Sequence, residues 1–429
     1  MKPQPESLSG TARLPVVVAV AVAAFLAQSL LHYSLPLYFH AKGMAGDAWE
    51  TWSYYEIVAW LFGPPLAGLL AGRLGERTAW AVGMFGYAAV GGLAVVLPST
   101  GAFAEPALGA AGLFYGLASA LIWVGGISLA QNVPPERKGL SNALIMTSLG
   151  AGSIAGPLAG RWLVSLSGGG NLPAGAHFHP ALFVYAGLSL AGAILMFGLG
   201  QYPAADGDRK SKSRGKESSS TWRQALLLLR DPKYLALVVS LSLLGGPVFQ
   251  ATNVYRPYRA RDASIGLIVG AQDRGWGALE ITNYVMQLVG GLLIGFVAGR
   301  KRSIGTAALL LAGFAACAVG IGAAPTALVL FGFSAGFEVM RQFMRWVQTG
   351  YLSENVSEEQ RSSAIGLSVT LSGLGSWAFN LLTRQLQSPD ESHFSSALPF
   401  YIAAALGFTG VAILLAASYR LRTRAGEPA

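Results

Sequence analysis

The chain has 429 residues, 53% of them hydrophobic and only 12% charged, with 55 glycines and a formal net charge of +9. So little charge cannot cover a soluble chain of this length, and the basic residues lie in short loops between apolar runs rather than on one soluble face. Composition therefore points to a polytopic membrane protein and excludes a nucleic-acid footprint. The single cysteine, Cys317, rules out an intramolecular disulfide, and no Cys/His cluster predicts a metal site.

About 20 apolar residues cross a bilayer core as a helix. Residues 1–13 read as a tail. The run near 14–40 is too long for a signal-peptide core and contains Gln28 and His32, so it reads as a retained helix. Further spans are predicted near 50–72, 78–98, 104–131, 139–165 and 179–201. Residues 202–233 are polar, basic and rich in Ser and Gly, and read as a linker that cannot bury itself. Six more spans follow near 234–256, 275–299, 303–322, 325–352, 362–386 and 396–420, then a tail at 421–429. The expectation is an all-α membrane protein: twelve transmembrane helices in two six-helix bundles, 14–201 and 234–420. Lys and Arg concentrate on one side when both termini and the linker are cytoplasmic, which sets the expected orientation in an inner or plasma membrane. The basic cluster "RPYRARD" after the seventh span is the exception and reads as a solvated outer loop, with an outer vestibule that attracts anions as the alternative.

The two halves look related. "LAQNVPPERKGLSNAL" (Leu129–Leu144) aligns with "LSENVSEEQRSSAIGL" (Leu352–Leu367) at a shift of 223, and "PPLAGLLAGR" aligns with "GGLLIGFVAGR" at a shift of 227. Both matches fall at equivalent connections, which supports a duplicated six-helix unit.

With this span count, linker and repeat, the chain resembles the major facilitator superfamily of secondary transporters. Between helices two and three, "GLLAGRLGER" keeps Gly68, Leu70, Ala71, Arg73, Gly75 and Arg77 of the family's signature, but Gly72 stands at its acidic position. The second half has Gly299 there, followed by Arg300. The resemblance thus implies a cytoplasmic gate without its usual carboxylate, with Glu136 and Arg137 in the loop between helices four and five beside it. In helix five, "GAGSIAGPLAGRW" is similar to the family's antiporter-associated motif at Gly152, Gly156, Pro157 and Gly160. Glycines four apart also line one helix face and admit a neighbouring backbone, so tight packing competes with that reading.

Ionisable groups within a span are costly, about 2.5–3.5 kcal/mol each on insertion scales. In helix ten, Glu338, Arg341 and Arg345 are three and four apart and form one stripe, flanked by Gln342. If Glu338 lies at the centre of the span, Arg341 is about 4–5 Å and Arg345 about 10 Å nearer the cytoplasm, at 1.5 Å per residue. Arg345 can snorkel; Glu338 cannot. Three readings stay open: a structural ion pair, arginines holding an anionic group, or a titrating Glu338. The shift of 223 maps the stripe onto Tyr115, Ala118 and Ile122, so one half alone carries it, which favours a role in substrate recognition or coupling. Gln28 and His32 in helix one, Glu56 in helix two, Gln250 and Asn253 in helix seven, and Asn283 and Gln287 in helix eight are candidates for the same cavity. Solvation near the outer ends competes for Glu56 and Glu280, and "GGP" before Gln250 reads as a helix break.

The expectation is a monomeric secondary or facilitative transporter of a small organic solute, anionic groups included, driven by protons and rocking two halves about a midplane site. A proton-antiporting drug or metabolite exporter is the alternative within transport, and a non-transporting receptor the alternative outside it. No nucleophile–base pair or cofactor loop suggests an enzyme, and no cofactor or nucleic-acid partner is expected.

Overall fold

The computed structural model describes residues 13–44, 48–131, 135–167, 175–198, 227, 229–269, 272–297, 304–355, 358–386 and 396–424; within some helices the side chains are not described. The first half contains α1 (Arg13–Ala41), α2 (Ala48–Leu74), α3 (Glu76–Val96), α4 (Ala104–Gln131), α5 (Pro135–Leu166) and α6 (His179–Gly198). The second contains α7, running through Pro232–Leu237, Val238–Leu244 and Gly245–Arg261, then α8 (Trp276–Val297), α9 (Ile304–Ala323), α10 (Ala327–Asn355), α11 (Glu358–Leu386) and α12 (Leu398–Arg424). The only strands among the described residues are Ile268–Val269 and Gln272–Asp273, an antiparallel pair in the α7–α8 connection. Seven helices are long and apolar enough to cross a membrane among the described residues: α1, α3, α4, α6, α7, α9 and α12.

The two bundles repeat one packing plan. In the first, α1 lies on α5, α2 on α4 and α3 on α6; in the second, α7 lies on α11, α8 on α10 and α9 on α12. Across the halves, α5 meets α8 and α11 meets α2, again an exchange of equivalents. One end of the molecule carries the α1–α2 and α7–α8 connections, here the loop end. The start of α1 and the end of α12 lie at the other, the terminal end. There Gly75, at φ +88°, turns the chain from α2 into α3, a backbone that a side chain would strain.

The predicted spans match the helices within a few residues, with one consequential correction. The sequence reading ends α7 at Arg256, where basic residues begin, and places "RPYRARD" in a solvated loop. The helix instead continues to Arg261, and Arg256 and Arg259 are buried. Arg259 holds this end in place: it pairs with Asp262, donates to the Ala324 carbonyl and reaches Ser396 Oγ. Burial pushes the Asp262 carboxyl up, but the Ser264 amide and hydroxyl and the Arg259 guanidinium outweigh it and hold the group below its usual range. The expected break at "GGP" is also absent. Pro247 lacks an N–H and its ring crowds the carbonyl four residues earlier; the turn before it widens into a π-helix over Val238–Leu244, and the chain passes through unbroken.

Candidate functional site

Small residues set where the helices of each half meet. Along α5, Gly152, Gly156 and Gly160 face α1. A methyl group on Gly152 would stand 2.6 Å from the Val22 carbonyl oxygen, and one on Gly160 would stand 2.5 Å from the Tyr33 ring. Ser29 Oγ donates to the Gly152 carbonyl at 3.2 Å. The glycine run is therefore accounted for by this seam, which places His32 and Tyr33 toward the interior. Pro157 lies within α5 and leaves the helix continuous.

Between the halves lies a small cavity of about 40 Å³. His32 of α1 and Trp49 of α2 line one side. Asn253, Arg256 and Pro257 of α7 line the other, with Trp276, Glu280, Tyr284 and Gln287 of α8 and Glu338 and Arg341 of α10. Of the residues predicted for it, His32, Asn253, Gln287, Glu338 and Arg341 are brought together. Gln28, Glu56, Gln250, Gln342 and Asn283 are not in its lining. Gln250, Gln342 and Asn283 are buried between helices, with Asn283 Nδ2 donating to Glu280 Oε1 at 3.5 Å. Gln28 and Glu56 are partly buried.

The cavity wall carries four charges in alternating order. Arg256 Nη2 lies 2.9 Å from Glu280 Oε1, Arg256 Nη1 donates to Glu338 Oε1 at 3.2 Å, and Glu338 Oε2 lies 2.8 Å from Arg341 Nη2. The last is a charge contact rather than an aligned hydrogen bond, since Glu338 Oε2 has no hydrogen-bond partner by direction. Arg341 ends the series with its guanidinium 5.2 Å from the Phe249 ring centre, a cation–π contact. Two carboxylates and two guanidiniums compensate one another, which is how charge survives in a low-dielectric interior.

Sequence reasoning misses one member of this series and leaves another open. It assigns Arg256 to a loop. It weighs Glu280 against solvation near the helix end, yet this residue is 4% exposed. A signal does exist: Arg256 precedes Pro257 within a span that already carries Gln250 and Asn253. On the opposite wall, His32 Nε2 shares a hydrogen bond with Tyr115 Oη at 2.9 Å, and Tyr115 stacks on Tyr87.

The halves are tied together at the loop end. Tyr33 Oη donates to Asp273 Oδ2 at 2.7 Å, Arg261 Nη2 to the Pro36 carbonyl at 2.9 Å, and Tyr255 Oη to Glu50 Oε1 at 2.8 Å; Trp377 Nε1 donates to Tyr54 Oη at 3.1 Å. The gate residues of the terminal end are described only in part. Gly68, Gly72 and Arg73 lie in the last turns of α2 and Glu136 and Arg137 in the first turn of α5, without described side chains. Arg77 is partly buried in α3. Arg300 lies outside the described residues, as does the side chain of Arg345.

Two six-helix bundles that exchange equivalent contacts around one polar cavity define an integral membrane protein of the transporter class. The chain belongs to the Major Facilitator Superfamily, whose family profile matches residues 17–379. No curated protein matches it. Among solved structures it is similar in fold to the nucleoside transporter NupG, with 16% identity and a TM-score of 0.68 over 94% of this chain and 98% of that one. It is likewise similar to a mutant of the peptide transporter POT in complex with alafosfalin, with 15% identity and a TM-score of 0.69 over 97% and 96%. The xylose transporter XylE from E. coli gives 13% identity and a TM-score of 0.65 over 94% and 98%.

Proposed function

We propose that this transporter carries a small organic anion together with a proton, both termini lying in the cytoplasm, by rocking its halves about the central cavity. The observation that supports this reading is the charge-balanced series Glu280–Arg256–Glu338–Arg341 in the cavity wall. Protonating Glu338 neutralises one carboxylate and leaves Arg341 without its counter-charge. A planar guanidinium fork suits a carboxylate or phosphate oxygen pair. Proton and anion then enter as a neutral couple, and neither is stable in the cavity alone. Emptying reverses both steps: the anion leaves Arg341 and Glu338 returns its proton to re-form the pair. Access to the loop-end side requires the Tyr33–Asp273, Arg261–Pro36 and Tyr255–Glu50 contacts to part.

The test is transport of organic anions into proteoliposomes under an imposed pH gradient of either sign, which also reads direction. Glu338→Gln, a fixed mimic of the protonated carboxyl, is expected to keep anion exchange between equal concentrations but to lose accumulation driven by the gradient. Arg341→Ala is expected to lose both. Gradient-driven accumulation by Glu338→Gln at the wild-type level would overturn the coupling role.

A further inference from the structure

The cavity also holds a matched pair of aromatic residues outside the charge series. Trp49 is the second residue of α2 and Trp276 the first of α8. They are 227 positions apart, the same shift that relates the α2–α3 and α8–α9 connections, so they are one ancestral position present twice. Both line the cavity at its loop end. Trp49 meets the His32 ring edge-on at 5.8 Å, and a methyl group on Gly277, next to Trp276, would stand 3.2 Å from Tyr33. Trp49 thus stands beside His32, and the residue after Trp276 beside Tyr33, the next residue of α1.

Trp49 is 5% exposed and Trp276 2%, and neither indole N–H has a hydrogen-bond partner among the described residues. A buried donor without a partner is destabilising, and such groups in native proteins are usually satisfied by something. Trp52 and Trp80 share the missing partner, but neither lines the cavity. What distinguishes Trp49 and Trp276 is the coincidence of symmetry, cavity lining and an unused donor. Indoles offer a flat apolar face, which prefers another flat ring, and an N–H at the edge, which prefers an oxygen or nitrogen acceptor.

We infer that Trp49 and Trp276 form a ring-binding subsite, and that the solute is a planar aromatic or heteroaromatic ring bearing an acceptor and an anionic group. The ring lies against the indoles at the loop end while the anionic group reaches toward Arg341. The second half of that statement rests on the anion reading above; the first does not. With about 40 Å³ of free space, the cavity admits such a ring only as the halves part.

The experiment uses the purified full-length protein and matched carboxylates that differ in planarity: benzoate against cyclohexanecarboxylate, and 2-furoate against tetrahydro-2-furoate. Ligand-induced thermal stabilisation reports binding. The planar member of each pair is expected to bind about tenfold more tightly, the size of one or two aromatic contacts. Trp49→Leu and Trp276→Leu are each expected to weaken binding of the planar acids more than that of the saturated ones, and so to shrink that preference. Trp49→Phe and Trp276→Phe keep a ring and delete the N–H. They are expected to retain ring preference, to bind the planar acids a few-fold more weakly, and to melt no lower than wild type without ligand. Equal binding of planar and saturated acids, or no binding of the planar ones, would overturn the inference. A planar preference that survives Arg341→Ala would sink the anion reading and leave the ring subsite standing.

Discussion

The helix pairs α2–α4 and α8–α10 occupy equivalent places in the two halves, yet they are joined by opposite means. Between α2 and α4 the backbones nearly touch. Gly112 and Gly116 present bare Cα atoms to the Trp52 and Glu56 carbonyls, and a methyl on Gly109 would stand 2.6 Å from the Tyr55 ring. In α10 the counterparts at a shift of 223 are Gly332, Ala335 and Val339. Gly332 has no such neighbour, and among the described glycines of α8 only Gly290 approaches, against Val339 and Gln342. The wider seam leaves room for Glu280, Glu338 and Arg341. A second contrast follows the first. Tyr115 of α4 maps onto Glu338 of α10, and His32 lies 224 positions before Arg256, so the neutral bond His32–Tyr115 stands where the other half has the ion pair Arg256–Glu338. One half supplies a rigid packed wall. The other supplies charges that can exchange partners.

The largest effect should come from removing the centre of the charged side. Arg256→Ala leaves Glu280 and Glu338 buried together without their shared cation, and should destabilise the protein by about 3–5 kcal/mol, read as a large drop in melting temperature in detergent. A melting temperature within a degree or two of wild type would mean that water already screens the pair. Next comes the packed side. Gly116→Ala forces a methyl into the Glu56 carbonyl and should cost about 1–3 kcal/mol. Gly332→Ala, facing open space, should be neutral or up to about 1 kcal/mol stabilising. Equal melting of the two variants would erase the proposed difference between seams. Among the destabilising changes the smallest effect is expected for His32→Phe, which removes one neutral hydrogen bond and should lower stability by about 0.5–1.5 kcal/mol. If it matched Arg256→Ala, the two walls would be energetically alike.

The fold was legible because the bilayer imposes a length on every span and the linker breaks the series in two. The α10 stripe was legible because charge in an apolar run has no other cause than a cavity or a partner. Arg256 was not, because a basic residue near a helix end has the same local signature whether it snorkels outward or turns inward; only the positions of Glu280 and Glu338 decide it. Gln250 and Asn283 read as cavity polar groups, yet they are buried outside its lining, because spacing alone does not give a helix its rotation about its own axis.

That rotation returns attention to the wide turn in α7. Each residue of an α-helix advances about 100° around the axis, and Val238–Leu244 is wound more loosely than that. If it tightened by a single residue, everything beyond it, Asn253 and Arg256 included, would swing by roughly 100°. A shift of one backbone hydrogen-bond register, at a point remote from the charges, is mechanically sufficient to turn Arg256 from both of its carboxylates at once.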